Sequence, residues 1–409
     1  MADRHMMRLG AATFIALVGV GSLMTLSART GLVQILVLAT LITLAQLIAV
    51  PAPSGDRVFL GVGMAAATPL LLGSGIGMPD LYGTSAVTAF GLAGAWIVSV
   101  ARTGERRRAR TRFVSEAIAM VLFVVAFFGI EYLLLGSGAL LDVVILGSVA
   151  GGAMAWYLGR ATANALIGLE EHQLDVRYVW LLALEDWPVA LSLFASGALL
   201  GLAWPQMGGW SIAAALLPYA FTHLAFMRYD LTRTTYRQMI RALARIPEVA
   251  DLTPDGHAVR TAKLATSVGR ELGLNPEEVE ELEYAALMHD IGRVTLNEPA
   301  IIRAGYTSDD IARWGAQIIS EAPYLERAAD MVRQQYAPYR QPGVEKDESL
   351  PIPSKIIKIT SEYDRGVHDR GLPPIEALEQ LHRGSAYEYD PSIIASLRRV
   401  LVHHGVVAA

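Results

Sequence analysis

The sequence predicts an all-α protein in two parts, a helical membrane domain followed by a water-facing helical domain. Charge is the first observation: residues 1–227 carry 12 Lys/Arg and 12 Asp/Glu, whereas residues 228–409 carry 22 and 27. The second is a series of uncharged stretches in the first part, each close to the roughly 20 residues that cross a bilayer core. The third is the second part's run of helix caps with few strand signals.

Eight membrane spans are predicted within residues 1–227. The uncharged or nearly uncharged stretches are 9–28, 32–50, 58–79, 81–101, 113–136 and 143–159, followed by 187–227. The last stretch has 41 residues and is too long for one span. The turn-forming sequence Pro205-Gln206-Met207-Gly208-Gly209 is expected to divide it into two.

Arginines set the orientation, since positively charged loops tend to stay in the cytoplasm. With the N-terminus inside, eleven arginines of residues 1–227 are cytoplasmic and only Arg29 is outside. The sequence therefore predicts a multi-pass protein of the cytoplasmic membrane, in contact with the lipid bilayer, with both termini in the cytoplasm. A cleaved signal peptide at residues 1–28 is the alternative, but a second apolar segment follows within four residues.

Composition excludes two further classes of protein. The chain has no cysteine, so it is not a disulfide-stabilised secreted protein. Residues 228–409 have no basic excess, so no nucleic-acid partner is expected. Transport of a solute by the spans stays open, although few charged groups lie deep within them.

Residues 228–249 are predicted to form a connector helix that leaves the membrane with a basic and an apolar face. The basic residues are Arg233, Arg237, Arg241 and Arg245, and the apolar ones are Leu231, Met239, Ile240, Leu243 and Ile246. The basic face suits lipid headgroups, and the apolar face suits a homodimer through a short coiled coil. Packing of the connector on the following domain fits the pattern equally well.

Residues 250–409 are predicted to form a cytoplasmic domain of consecutive helices. Thr253 is expected to cap the first helix with Pro254 at its first position. Asn275 is expected to cap the second helix and Gly292 to end it.

The second helix is predicted to bury a histidine. Leu282, Ala285, Ala286 and His289 follow the i, i+3, i+4, i+7 spacing of a core face, and Asp290 comes next. A buried imidazole beside a carboxylate is costly unless both are satisfied, and a metal ion satisfies both. A hydrogen-bonded histidine in a helical core is the ordinary alternative. His257 lies 32 residues before His289, on the preceding helix, and supplies a second imidazole.

From about residue 250 to residue 402 the chain resembles the HD superfamily of metal-dependent phosphohydrolases, and specifically its HD-GYP branch. The similar segments, in order, are 253–272 with His257, His289-Asp290-Ile291-Gly292, Gly315-Ala316-Gln317-Ile318-Ile319, 356–370, and 374–401 with Asp390-Pro391. The resemblance implies a helical HD-type domain that binds divalent metal, often iron or manganese. It also implies hydrolysis of a phosphodiester such as cyclic di-GMP by metal-assisted chemistry.

Residue by residue, the resemblance implies metal ligands at His257, His289 and Asp290 and a phosphate contact at Arg293. Asp290 and Arg293 are therefore the expected catalytic residues. Asp364, His368 and Asp369 are the candidates for a fourth metal ligand, and Asp364 lies one helical turn after the position of the family's late aspartate.

This chain departs from the family pattern where further metal ligands are expected. Ile311, Gln334, Gln335 and Ser361 stand there, and the Gly-Tyr-Pro loop is not preserved. A two-metal site needs a bridging carboxylate and further imidazoles, so a single divalent ion is expected rather than two.

Two functions follow from these residues. The first is a membrane-anchored HD-type phosphohydrolase-like protein in cyclic-dinucleotide or nucleotide signalling, with such a nucleotide as substrate. The alternative is a catalytically inactive HD-type signalling module that passes a membrane signal to a protein partner.

Overall fold

The computed structural model describes residues 2–52, 57–73, 78–102, 106–172, 180–181, 184–341, 343, 349–385 and 387–407. Across these residues the chain is mainly helical, with one two-stranded antiparallel sheet. It divides into two compact units, Met1–Leu231 and Thr232–Ala409. The predicted all-α class is confirmed.

Eight helices begin in the described part of the first unit. They are α1 (Ala2–Ser27), α2 (Leu32–Ala45), α3 (Gly61–Gly73), α4 (Leu81–Arg102), α5 (Arg106–Gly136), α6 (Leu141–His172), α7 (Trp187–Met207) and α8 (Trp210–Ala244). Strands β1 (Ala49–Pro51) and β2 (Arg57–Phe59) pair between α2 and α3, with Val50 opposite Val58. Helix α8 continues past the first unit into the second.

Five helical segments are long and apolar enough to cross a membrane. They are Leu81–Val98, Phe113–Gly136, Leu141–Leu166, Trp187–Met207 and Trp210–Val249. The other predicted spans correspond to the shorter apolar segments Thr13–Ser27, Leu32–Ala45 and Gly61–Gly73, so the structure does not clearly show eight. The predicted spans 32–50 and 58–79 are shortened because β1 and β2 take up their adjoining ends, next to Pro51, which cannot continue a helix. The predicted division between the last two spans is confirmed at Gly208.

Small residues let helices α3 and α7 approach closely. A Cβ atom on Gly197 would lie 2.1 Å from the carbonyl oxygen of Gly63. Such contacts are typical of helix pairs in membranes, where close backbone packing replaces the hydrophobic driving force. The aromatic rings of Phe123, Trp156 and Phe194 pack together nearby in the same unit.

The second unit is a helical bundle. Its helices are α9 (Ile246–Val249), α10 (His257–Glu271), α11 (Pro276–Met288), α12 (Pro299–Ala304), α13 (Ser308–Ser320), α14 (Glu326–Arg333), α15 (Ile352–His368), α16 (Pro374–Arg383) and α17 (Pro391–His403), with 3-10 turns at Ile291–Asn297 and Pro323–Leu325. The predicted core face of α11 is confirmed: Leu282, Ala285 and Ala286 are fully buried and His289 is 1% exposed.

The helix ends only partly match the sequence predictions. Asn275 caps α11 in a capping box with Glu278, as expected. Helix α10, however, begins at His257 rather than at Pro254, because Gly256 precedes it in the left-handed conformation with φ 73°. Helix α11 ends at Met288, four residues before Gly292.

The connector arginines contact acidic residues of α11. In α8, Arg233 lies 2.6 Å from Glu280, Arg237 lies 3.3 Å from Glu280, and Arg241 lies 3.4 Å from Glu283. Packing of the connector on the following domain, one of the alternatives left open by the sequence, is therefore present.

Gly292 is a contact point rather than a helix end. A Cβ atom at this position would lie 2.1 Å from the carbonyl oxygen of Ile311 and 2.7 Å from the backbone nitrogen of Gly315. We expect Gly292→Ala to destabilise the second unit by about 1–3 kcal/mol, since overpacked backbone must move apart. Pulse proteolysis in urea measures this change. The matched control is Gly129→Ala, which has no atom within 4 Å of its Cβ position; an equal loss in both variants would contradict the prediction.

Candidate metal centre

His257, His289 and Asp290 converge at one buried point of the second unit. His257 is the first residue of α10, and His289 and Asp290 follow the last residue of α11. The Nε2 atoms of His257 and His289 are 3.3 Å apart. Asp290 Oδ2 lies 3.6 Å from His257 Nε2 and 3.4 Å from His289 Nε2. The three residues are 1%, 1% and 3% exposed. Helix geometry thus brings the three predicted ligands together.

Hydrogen bonds fix which ring nitrogens face the cluster. His289 Nδ1 lies 2.8 Å from the carbonyl oxygen of Ala286, which only accepts, so Nδ1 carries the proton. His257 Nδ1 donates in the same way to Asp364 Oδ2 at 2.7 Å. Two imidazole lone pairs and one carboxylate oxygen therefore point at each other, and a cation relieves their repulsion.

The donor set fits one divalent ion. Ligand bonds of about 2.1 Å at tetrahedral angles separate donor atoms by about 3.4 Å, close to the three distances observed. Two imidazoles and a carboxylate suit zinc, iron or manganese. Burial lowers the pKa of His289 to about 4, so the imidazole is neutral near pH 7, as a metal ligand must be.

Two arginines neutralise Asp290. Arg293 Nε lies 2.7 Å from Oδ1, and Arg365 Nη2 lies 2.8 Å from Oδ2 and 3.1 Å from Oδ1. Although burial opposes ionisation, these guanidinium groups, together with His289 when it is protonated in acid, hold the pKa of Asp290 well below its usual range. Arg293 was expected near the site from the sequence, whereas Arg365 was not.

Asp364 lies behind His257 and is not one of the three converging donors. Its carboxylate accepts the His257 Nδ1 proton and two hydrogen bonds from Arg260, at 2.8 and 3.0 Å. Ser361, one turn earlier in α15, is the side chain that reaches the cluster, with Oγ 3.1 Å from His289 Nε2. Asp364 is therefore placed to orient His257, in the carboxylate–histidine arrangement common around metals, rather than to be the fourth ligand expected from the sequence.

We expect Asp364→Asn to weaken metal binding by about 10–100-fold, because loss of a carboxylate that orients a ligand has that effect in other metal sites. An amide no longer draws the Nδ1 proton as strongly, so His257 is held less firmly. Titration of the purified metal-free protein with Mn²⁺ measures the change. Asp369→Asn is the control, because Asp369 lies five residues after Asp364 in a solvent-exposed turn. Unchanged affinity in Asp364→Asn would show that the carboxylate does not support the site.

The remaining family ligand positions carry no ionisable donor in this chain. Ile311 is buried, with its backbone against Gly292. Gln335 is also buried, and its side-chain amide donates to the carbonyl oxygen of His289 at 2.7 Å. These two residues contact the backbone beside the candidate ligands but supply no further imidazole or carboxylate.

Part of the chain is similar to known proteins. Residues 237–393 match a family model described as an HD domain. A cyclic di-GMP phosphodiesterase from Thermotoga maritima is 21% identical over 179 residues, which cover 40% of this chain and 49% of that protein. The cyclic di-GMP phosphodiesterase response regulator RpfG from Xanthomonas campestris pv. campestris is 23% identical over 179 residues, with coverage of 40% and 47%. The chain thus spans about half the length of these curated relatives.

A solved structure is also similar over most of the chain's length. It is a cyclic GMP-AMP-specific phosphodiesterase from V. cholerae that is 14% identical to this chain. The alignment covers 83% of this chain and 92% of that protein. Its TM-score of 0.26 is too low to indicate a shared overall fold.

Proposed function

We propose that the protein is a membrane-anchored, metal-dependent phosphohydrolase acting on a cyclic dinucleotide or related nucleotide, since residues 237–393 match an HD domain model and two similar proteins are named cyclic di-GMP phosphodiesterases. The observation that carries the proposal is the convergence of two unprotonated imidazole nitrogens and a carboxylate oxygen on one buried point. The named activities of the two curated relatives support a cyclic dinucleotide as the substrate class.

In this proposal His257, His289 and Asp290 hold one divalent ion. A bound ion of this kind supplies electrophilic polarisation of a phosphoryl group and activates water for attack. Asp290 is an acceptor for Arg293 and Arg365, which keep it ionised and in place. The partly exposed guanidinium of Arg293 is the group proposed to bind the substrate phosphate, since arginine forms strong charge-assisted hydrogen bonds to phosphate.

A second candidate function is an inactive signalling module. Ile311, Gln335 and Ser361 at family ligand positions favour it, because a two-metal clamp on phosphate lacks those ligands here. The Arg365 guanidinium also occupies one face of Asp290. In this case the domain keeps at most one ion and passes a membrane signal to a protein partner without turnover.

Hydrolysis by the full-length protein distinguishes the two. The purified protein, loaded with Mn²⁺ or Fe²⁺, is incubated with cyclic di-GMP and, separately, with cyclic GMP-AMP, and products are separated by chromatography. The enzyme proposal expects linear dinucleotide or mononucleotide product that Asp290→Asn no longer forms. Metal bound at full occupancy with no product from either compound would support the inactive module instead.

The membrane part is proposed to cross the bilayer eight times and to leave both termini in the cytoplasm. The five long apolar helices support membrane insertion, and the arginine distribution supports the orientation. Cysteine accessibility tests the topology, since the chain has no natural cysteine. A cysteine introduced at Arg29 should react with an impermeant reagent from outside, and one at exposed His403 should not; the reverse pattern would contradict the proposed topology.

A homodimer through the connector is also proposed. Its basic face is engaged by Glu280 and Glu283, but Leu231, Met239 and Leu243 of the same helix are 61%, 54% and 43% exposed. An exposed apolar face of this kind suits pairing with a second copy. Chemical crosslinking through Met239→Cys should capture a dimer. If no crosslinked dimer forms and the protein in detergent has the mass of a monomer, this part of the proposal is wrong.

A further inference from the structure

Two guanidinium groups contact the single carboxylate of Asp290. Arg293, in the 3-10 turn after α11, donates to Oδ1, and Arg365 of α15 donates through Nη2 to both carboxylate oxygens. One guanidinium group is enough to neutralise a carboxylate. Two positive charges and one negative charge therefore leave one positive charge in excess beside the proposed ion position.

The nearest other carboxylates on α15 have cations of their own. Asp364 accepts hydrogen bonds from Arg260, and Glu362 lies 2.8 Å from Arg370. Among the described residues, neither carboxylate forms an ion pair with Arg365. The protein thus leaves the second guanidinium group without a countercharge. An uncompensated charge that is largely buried is costly, and it attracts an anion.

Arg365 keeps hydrogen-bond donors for such an anion. Its Nη2 atom contacts Asp290, whereas its Nε and Nη1 atoms have no acceptor in the part of the chain that the structure describes. The side chains of Arg365 and Arg293 are 20% and 22% exposed, so a ligand in solvent can reach both guanidinium groups. An arginine has five N–H donors in a planar fork and can hold a carboxylate and a phosphate at the same time.

This chain also has a use for a second positive charge at Asp290. Neutral side chains, Ile311, Gln335 and Ser361, stand where the resemblance implies further metal ligands. In a two-metal site the second ion helps to hold the phosphate and to offset its charge. A guanidinium group on the same carboxylate provides that charge without any metal ligand.

We infer that Arg365 and Arg293 form a guanidinium clamp for a phosphate group of the nucleotide, and that Arg365 provides the positive charge that a second ion would otherwise supply. The inference rests on the proposed function, because it assigns the phosphate contacts within the same site. It adds Arg365 to Arg293 as a phosphate-binding residue, and it explains why one carboxylate has two arginines.

Isothermal titration calorimetry with inorganic phosphate tests the guanidinium clamp. The full-length protein is loaded with Mn²⁺ in detergent, and the Mn²⁺ affinity of each variant is measured separately. We expect saturable phosphate binding to the wild-type protein, which Arg365→Gln weakens by about 10- to 100-fold, the effect of losing hydrogen bonds to a charged group. The Mn²⁺ affinity should not fall in this variant, because no proposed metal ligand is lost.

Two further variants control for charge and folding. Arg365→Lys keeps the positive charge but not the planar fork, and should weaken phosphate binding by about three- to tenfold. If Arg365→Gln does not fold, unchanged phosphate affinity in Arg365→Lys overturns the inference. Arg370→Gln removes a 41% exposed charge five residues away that contacts Glu362 rather than Asp290, and should leave phosphate affinity unchanged.

Three results would overturn the guanidinium clamp. The first is no phosphate binding to the wild-type protein, and the second is equal phosphate affinity in the wild-type protein and Arg365→Gln. The third is a loss of phosphate binding in Arg365→Gln that is matched by an equal loss of Mn²⁺ binding. In that case Arg365 acts only by holding Asp290 in place.

Hydrolysis of cyclic di-GMP separates this inference from the proposed function. If Arg365→Gln weakens phosphate binding and the wild-type protein forms no product, the guanidinium clamp is supported and the phosphohydrolase proposal fails. If the wild-type protein forms product and Arg365→Gln has the same kcat and KM, the guanidinium clamp is wrong and the phosphohydrolase proposal stands.

Discussion

His289→Ala is expected to abolish stable metal binding. The substitution removes one of three donors that lie within 4.8 Å of one another, and no other described imidazole replaces it. We expect the affinity for Mn²⁺ to fall by more than about 100-fold, beyond the range seen when only an orienting residue is lost. Metal analysis of the purified full-length protein and a Mn²⁺ titration of the metal-free protein measure the effect.

His403→Ala is the matched control, since His403 is an exposed histidine at the end of α17. This variant should have the same metal content and the same affinity for Mn²⁺ as the wild-type protein. Equal metal content in the two variants would show that bound metal does not depend on His289 and would remove the basis of the proposed site.

Asp290→Asn is expected to destabilise the second unit by about 3–5 kcal/mol at neutral pH in the absence of metal, because loss of one partner leaves buried charge without compensation. Arg293 and Arg365 both contact this carboxylate, which is only 5% exposed. Both arginines are about one-fifth exposed and can turn partly to solvent, so we expect the lower end of the range. Pulse proteolysis in urea measures the change.

The same carboxylate predicts a pH dependence. Its folded pKa lies below the ordinary value of 3.8, so the stability it contributes is fully present above pH 3.8 and is lost as pH falls toward the folded pKa. The stability difference between the unchanged protein and Asp290→Asn should therefore shrink below about pH 4. Asp330→Asn, at an exposed pair with Arg333, should change stability by less than about 0.5 kcal/mol. If the stability difference between the wild-type protein and Asp290→Asn instead grows as the pH falls, Asp290 is not ionised in the folded protein as proposed.

Periodicity and capping predicted the second unit better than the first. The core face of α11 and the cap at Asn275 depend on local spacing, which the sequence contains in full. The helices that flank β1 and β2 are shorter than the uncharged stretches, because hydropathy records where charge is missing and not where a chain turns. The start of α10 was misplaced for a related reason: Thr253 and Pro254 are good helix starters, but the chain turns through Gly256 first.

His257, His289 and Asp290, three of the predicted metal ligands, lie close together, but the residues that support them could not all be found from sequence. Arg365 and Arg260 reach Asp290 and Asp364 across 75 and 104 residues of chain, and long-range pairs of this kind leave no local pattern. The sequence indicated Asp364 as a candidate fourth metal ligand, and only the structure shows that its carboxylate contacts His257 Nδ1. Two sequence features could have indicated these arginines: Arg365 directly follows Asp364, and Arg260 lies three residues after His257. Buried carboxylates need nearby cations, so basic residues next to the predicted ligands were candidates for that role.

The structure also links the connector to the candidate metal centre through one helix. Arg233 and Arg237 of α8 hold Glu280 near the start of α11, and α11 ends one residue before His289. A change in the position of α8 would therefore act on the helix that carries two of the three proposed ligands. This arrangement is compatible with both the enzyme and the signalling module.

X-ray absorption at the metal edge of the Mn²⁺- or Fe²⁺-loaded full-length protein tests the metal site most directly. We predict one ion per chain whose coordination includes two imidazole rings, from His257 and His289. The spectrum should contain no metal–metal scattering. A metal–metal distance of about 3.5–4 Å would establish a two-metal site and contradict the single-ion account. A bound ion without imidazole scattering would contradict the site itself.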